Sequence, residues 1–229
     1  MTAPLTIAID GPSGSGKSSV SRAVAARLGI GYLDTGAMYR ALTWWCLERD
    51  LDLTDADAVA DAARDLPLDI GTDPEAPTVA VDGTDVTAAI RTTEVSTAVS
   101  AVATNREVRP VLQQLQRDLM ARIAEQTGGV VAEGRDITTV VAPDARVRVL
   151  LTASEEARLR RRSAELHGTD DASAVEATRD QVVRRDRDDS TVSRFTEAAE
   201  GVVLVDTSEL DLDQSVEAVL DVVAAETSE

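Results

Sequence analysis

The residues Gly11, Pro12, Ser13, Gly14, Ser15, Gly16, Lys17 and Ser18 follow the pattern G-x-x-x-x-G-K-[ST], which wraps backbone around phosphate. Each residue type has a physical reason to be there. The glycines let successive N–H groups turn toward one anion. A helix beginning at the end of the loop favours negative charge at its N-terminus. Lys17 is a point charge for the β- and γ-phosphates, and the Ser18 hydroxyl is a ligand for Mg²⁺. Ser19 completes the first turn beside them. Lys17 is the only lysine among 23 basic residues. The loop therefore predicts nucleoside-triphosphate binding, but leaves the reaction open. A GTPase would also need an N-K-x-D segment, which a chain with one lysine cannot contain. An ATPase motor would present an apolar strand ending in acid, for which Gly129–Asp136 (GVVAEGRD) is a weak candidate.

The remaining chemistry lies in arginines. Asp34-Thr35-Gly36-Ala37-Met38-Tyr39-Arg40 places a hydroxyl, a glycine and a helix start after an apolar run, a setting for a second phosphate. Arg40, a turn later, could add charge-assisted bonds. Glu133-Gly134-Arg135-Asp136 follows another apolar run and has a similar setting. Arg185-Asp186-Arg187-Asp188-Asp189 is nearly neutral and reads, by itself, as a solvated helix face. Arg158, Arg161 and Arg162 share one helix face by spacing.

The elements that must position these residues are legible from periodicity. Apolar runs at 6–10, 31–34, 129–132, 147–153 and 202–206 read as parallel strands buried on both sides. Helical patterns lie between them. Val20, Val24 and Leu28 form one apolar stripe with Gly29 as its stop. A helix is expected over 56–66. A long helical stretch covers 94–127, with Asn105 and Pro110 marking a break or restart. Ser154 caps a helix to about Leu166, and a last helix covers 212–225. The alternation predicts an α/β fold: a three-layer P-loop architecture on a five-stranded parallel sheet. The stretch 66–90, punctuated by Pro and Gly, predicts a small antiparallel insert. The polar stretch 167–173 reads as a loop containing His167, the only histidine.

Composition narrows the function classes. The 229 residues carry a formal charge of −18, which disfavours sequence-independent nucleic-acid binding and anionic membranes. Five aromatic residues (Tyr32, Tyr39, Trp44, Trp45, Phe195) leave little for stacking on single strands. No apolar run approaches the roughly 20 residues of a membrane span. The N-terminal residues lack a basic segment and apolar core, so no signal peptide is expected. One cysteine, Cys46, cannot form an internal disulfide, fits a reducing cytoplasm, and reads as a core residue. Nothing in the pattern argues for assembly, so a monomer is expected.

Taken together, the phosphate loop, LDTGAMYR, VAEGRD, RLRRR and RRDRDDS resemble, in order, the motifs of bacterial cytidylate kinases. The resemblance runs from about Thr6 to Ser208. It implies a single nucleoside monophosphate kinase domain over 1–229. Within it, the acceptor-binding region would be 35–110, with its insert at about 66–90, and a helical lid 154–190. It implies phosphorylation of CMP and dCMP by ATP-Mg²⁺, with no nucleic acid or membrane partner. Thr35, Arg40 and Arg135 would hold the acceptor phosphate. Ser100, Arg109 and Asp136 would read cytosine. Arg185 would contact phosphate, and Asp189 ribose hydroxyls. Arg158, Arg161 and Arg162 resemble lid arginines. Lys17, Arg135, Arg158 and Arg162 would be catalytic. A kinase of the same fold for UMP or another small acceptor, and a P-loop regulatory ATPase, are the rival readings.

Two positions depart from the family pattern. Val192 stands where an arginine that contacts phosphate is expected, with Arg194 two residues on. Thr138 stands where the family has glycine after Gly-Arg-Asp-x.

Overall fold

The computed structural model describes residues 4–169 and 171–228. Five parallel strands, β1 (Leu5–Asp10), β2 (Gly31–Asp34), β6 (Gly129–Gly134), β7 (Val147–Thr152) and β8 (Val203–Asp206), form one sheet in the order β2-β6-β1-β7-β8. The first crossover helices are α1 (Lys17–Leu28) and α2 (Thr35–Leu47), followed by α3 (Ala56–Arg64). The later ones are α4 (Thr93–Ala103), α5 (Val108–Thr127), α6 (Glu155–His167), α7 (Ala172–Ser190) and α8 (Leu212–Thr227). The expected runs thus become the expected sheet. One boundary moves in a way that matters: β6 extends two residues past Ala132, so Glu133 belongs to the strand.

Alternating side chains divide the sheet into two cores. Ile7 and Ile9 of β1 join Val131, Val147 and Val149 against Val20 and Val24 of α1 and Val216 and Val219 of α8. Ala8, Val130 and Ala132 face the other way, onto Leu119, Met120 and Ile123 of α5. The small alanines on that face let α5 approach closely. All the residues named in these two cores are at most 8% exposed. Cys46 is buried in a third cluster with Leu42 and Leu112, and burial pushes its thiol up to about 11.

The interruption in the alternation is a three-stranded antiparallel sheet, β3 (Leu68–Ile70), β4 (Val79–Val81) and β5 (Thr84–Asp85), in that order. The long helical stretch splits into α4 and α5. Asn105 Oδ1 accepts from the N–H groups of Glu107 (2.9 Å) and Val108 (3.4 Å), which starts α5. Pro110 then falls within the first turn, where its missing N–H removes no helical bond. The expected loop at 167–173 is shorter than its sequence suggests, because α6 runs to His167 and α7 begins at Ala172. The His167 side chain lies outside the described residues. No described helix is long and apolar enough to cross a membrane.

Parallel strands bring all their C-terminal ends to one edge. Asp10 of β1 is level with Gly134 of β6, and Asp34 of β2 with Glu133. The phosphate loop after β1, the Thr35 turn after β2 and the Arg135 segment after β6 therefore converge, although Arg135 lies at least a hundred residues further along the chain than the other two.

Candidate functional site

The site is a cleft along this edge. Ser13, Gly14, Lys17 and Ser18 line one wall, and Thr35, Gly36, Tyr39 and Arg40 line the opposite wall. Arg135, Asp136, Arg162, Arg185 and Asp189 also face it. The phosphate loop has the backbone its glycines permit. Gly16, with φ 87°, caps α1 in the left-handed region. Gly14, with φ 76°, leaves room for α6, since a Cβ there would lie 2.5 Å from the Arg158 carbonyl oxygen. Lys17 Nζ donates to the Pro12 carbonyl at 3.3 Å, inside the curl of the loop. Burial lowers its pKa to about 8, opposed by the nearby Glu133 charge.

Glu133 is a site residue that the motif reading did not single out. Its carboxylate accepts from Ser18 Oγ at 2.9 Å and, on the other oxygen, from the Tyr32 hydroxyl. Burial, then the Asp34 charge, raises its pKa to about 7, with Lys17 acting in the opposite direction. The sequence signal was an apolar strand ending in acid. What was missing was the knowledge that this strand lies beside β1.

The opposite wall is built from α2 and α4. Asp34 caps α2, accepting from the Ala37 N–H at 2.9 Å, and lies 3.4 Å from Arg91. Thr35 is buried, and its hydroxyl donates to the Glu133 carbonyl at 2.7 Å. Arg40 donates to Ser96 at 3.2 Å. Ser100 is half-buried on α4 and is not among the residues lining the cleft, whereas Val99 and Ala103 of the same helix are. At this end Arg109 of α5 meets Asp136 at 2.7 Å and Ser193 at 3.1 Å.

The segment Arg185–Asp189 departs from its reading as a solvated face. It forms the last turns of α7, and Asp186, Arg185 and Asp189 turn inward. Asp186 accepts from the phosphate-loop N–H of Ser13 at 3.1 Å, lies 3.3 Å from Arg135, and is bonded by Arg158. Asp189 pairs with Arg135 and lies 3.7 Å from Arg185. Burial, then the charges of Arg40 and Arg135, pushes the Arg185 guanidinium down to about 9. The charges of Arg40, Arg135 and Arg162 all act on Arg185, a concentration of cations that suits a seat for anions.

The three arginines of α6 divide. Arg158 reaches the phosphate loop through the Ser13 carbonyl at 3.0 Å, and Arg162 lines the cleft. Arg161 also reaches the phosphate loop, at the Ser15 carbonyl (3.4 Å), and bonds Thr207 Oγ1 at 2.9 Å and the carbonyls of Thr207 (2.5 Å) and Leu210 (3.1 Å). It ties α6 to the loop after β8. A second cavity opens there, between Gly14–Gly16, Arg161, Arg162 and Leu210–Ser215.

Both departures acquire a physical account. Arg194 is exposed and is not among the residues lining the cleft. The same segment supports arginines from elsewhere: Ser193 bonds Arg109, and the fully buried Phe195 ring lies 4.7 Å beneath the Arg135 guanidinium. Thr138 has no positive φ. Its N–H and hydroxyl donate to Asp10 Oδ2 at 2.8 and 2.6 Å, and the Ile137 N–H donates to Oδ1 at 3.0 Å. Burial raises the Asp10 pKa from 3.8 to about 6, with the Thr138 hydroxyl bond the largest opposing influence.

A folded-state pKa above the unfolded value means that the folded chain holds this proton between about pH 4 and 6. The Asp10 contribution to stability therefore falls as pH rises through that window and is level above it. Thr138→Val removes the hydroxyl bond to the ionised carboxylate. It is expected to destabilise by roughly 1.5–3 kcal/mol at pH 8 and by less at pH 5. Urea unfolding at the two pH values checks this; equal losses would contradict it.

The chain matches the family model described as cytidylate kinase over residues 7–225. It is 53% identical over 218 residues to a cytidylate kinase of Streptomyces avermitilis, covering 95% of this chain and 91% of that one. It is 51% identical over 226 residues to a cytidylate kinase of Cutibacterium acnes, covering 97% of each. A Streptomyces griseus cytidylate kinase is 50% identical over 218 residues, again covering 95% of this chain and 91% of that one.

Proposed function

The chain belongs to the cytidylate kinase family, and from that premise we infer how its cleft divides the work of the reaction. It is an ATP-dependent phosphotransferase that phosphorylates CMP; dCMP is the second acceptor the same site would take. A phosphate oxygen of the acceptor attacks the γ-phosphorus of ATP. The bond from that phosphorus to the bridging oxygen breaks, and its electron pair leaves with ADP. The attacking oxygen is already ionised at neutral pH, so no general base is required. Catalysis is positioning and charge neutralisation.

Gly11–Ser19 would hold the donor phosphates, with Lys17 at the β- and γ-groups. The second cavity, beside Arg161 and Leu210, would seat the rest of the donor nucleotide. Arg158 and Arg162 of the proposed lid, residues 154–190, would close over the transferring group with Arg135. Within the proposed acceptor region, 35–110, Thr35 and Arg40 would hold the acceptor phosphate. For Thr35 this requires turning its hydroxyl away from the Glu133 carbonyl. Arg185 would neutralise phosphate and Asp189 would accept from ribose. Arg109 would face O2 and N3 of the base, and Asp136 the exocyclic amine.

The oxygens at the end of α1 fit Mg²⁺. Ser18 is an exposed residue whose hydroxyl bonds the buried Glu133 carboxylate, and the Asp34 charge lies close enough to raise the Glu133 pKa, with Lys17 near Glu133 and Arg91 beside Asp34 as the neighbouring cations. Ser18 would be the direct protein ligand and Glu133 would support it. A bound Mg²⁺ would supply charge neutralisation at the transferring phosphates. Net charge −18 supports a protein that works without nucleic acid or membrane surface. We take it to act as a cytoplasmic monomer.

The observation that carries this reading is one cleft with the phosphate-loop lysine at one end and the Arg109–Asp136 pair at the other. The test is ADP production with ATP alone, then with each nucleoside mono- and deoxymonophosphate. Stimulation confined to CMP and dCMP is expected; turnover independent of acceptor would defeat the reading. Asp136→Ala should reduce the preference for CMP over UMP by about a hundredfold, since uracil O4 would no longer oppose a buried carboxylate. The ratio of kcat/KM values measures it.

A further inference from the structure

The Arg109–Asp136 pair has a third member. Gln113 lies one helical turn beyond Arg109 on the same face of α5. Its side-chain Nε2 donates to Asp136 Oδ2 at 2.8 Å, the oxygen that also accepts from Arg109 at 2.7 Å. Asp136 Oδ1 takes no hydrogen bond from any described residue. Asp136 and Arg109 line the cleft, whereas Gln113 is half-buried and does not line it. No sequence motif marks this glutamine.

We propose that Gln113 is a specificity-positioning residue: its amide fixes the Asp136 carboxylate so that one oxygen stays on α5 and the other faces the base. The physical reason is competition. An arginine fork favours binding both oxygens of a carboxylate. If Asp136 turned to satisfy Arg109 with both oxygens, it would withdraw its free lone pairs from the cleft. The Gln113 amide supplies the second donor to Oδ2 and holds the carboxylate against that rotation. A glutamine does this without adding charge. A lysine would compete with the substrate for the carboxylate, and a glutamate would repel it.

The proposal rests on the reading of Asp136 as the acceptor for the cytosine amine, so the test separates the two. Steady-state kcat/KM values for CMP and UMP are measured for the parent, Gln113→Leu, Asp136→Ala and the double variant. Gln113→Leu is expected to lower the CMP-to-UMP ratio about tenfold, the scale of one hydrogen bond to a charged group, while the KM for ATP is unchanged. In the Asp136→Ala background the same substitution is expected to change the ratio no further. Gln113→Met, similar in length, serves as the second apolar variant if the leucine variant is unstable by thermal melt.

An unchanged ratio in the single variant overturns the proposal and leaves the reading of Asp136 standing. A further drop in the Asp136→Ala background also overturns it, because Gln113 would then act independently of the carboxylate. If Asp136→Ala itself leaves the ratio unaltered, the base-reading assignment fails, and the proposal fails with it.

Discussion

Replacing Lys17 with arginine is expected to lower kcat by about a thousandfold, the scale of removing a preorganised charge at a reacting centre, with the fold retained. Lys17 Nζ sits within the loop, 3.3 Å from the Pro12 carbonyl. A guanidinium keeps the charge but is longer, planar and fixed in its donor directions. It cannot place a compact charge between two phosphates without opening the loop. Helix α1 begins at this residue, and arginine is as good a helix former as lysine. The buried Glu133 beside it also keeps a cationic neighbour. The measurement is kcat and KM for both substrates, with circular dichroism and thermal melting as the check on folding. Activity within tenfold of the parent would mean that the single lysine is not where the chemistry sits.

Removal of the Arg135 side chain should have the second-largest effect. Arg135→Ala is expected to reduce kcat/KM for CMP by about a thousandfold or more, because an arginine at a transferring phosphoryl group is worth that much. Its surroundings show how firmly it is placed. The side chain is 13% exposed, pairs with Asp189, lies 3.3 Å from Asp186 and rests on Phe195. Alanine also leaves two largely buried carboxylates short of one partner. Breaking a buried pair costs about 3–5 kcal/mol when nothing replaces it. Arg158 and Arg185 remain near the same carboxylates, so the stability loss should stay below that range. Arg135→Lys separates the two effects: it restores the charge to Asp186 and Asp189 without the planar fork. It should recover most of the thermal stability and little of the activity. Full recovery of activity by lysine would show that Arg135 acts as a charge alone. An unaltered kcat/KM in the alanine variant would remove it from the site.

Chemistry written in consecutive residues is legible in the sequence. The phosphate loop needs glycines at fixed spacing, a lysine and a hydroxyl, all within eight positions. The strands announced themselves as β-branched runs, and the insert at 66–90 by its Pro and Gly punctuation. The reading of Arg185–Asp189 as a solvated face was reasonable from composition, since a mixed charge run has no periodicity that points inward. The structure reversed it because α7 packs beside α6 and α4, turning Asp186 onto the Ser13 N–H. Arg161 shows the converse. Helix spacing placed it with Arg158 and Arg162, and it does reach the phosphate loop at Ser15, but the loop after β8 takes most of its donors, which spacing alone does not indicate.

The sequence by itself determined the phosphate loop, the parallel strands that end beside it, and the positions of the arginines along the chain. These are local properties: backbone freedom at glycine, the period of apolar residues, and charge type. Only the tertiary structure decided which distant side chains meet. Glu133 meets Ser18 across 115 positions, Thr138 meets Asp10 across 128, and Arg135 rests on Phe195. Strand order β2-β6-β1 creates the first meeting, the turn after β6 the second, and the segment after α7 the third. Such partners are fixed by how strands and helices stack, which depends on the buried surface of the whole chain and leaves no mark in neighbouring residues.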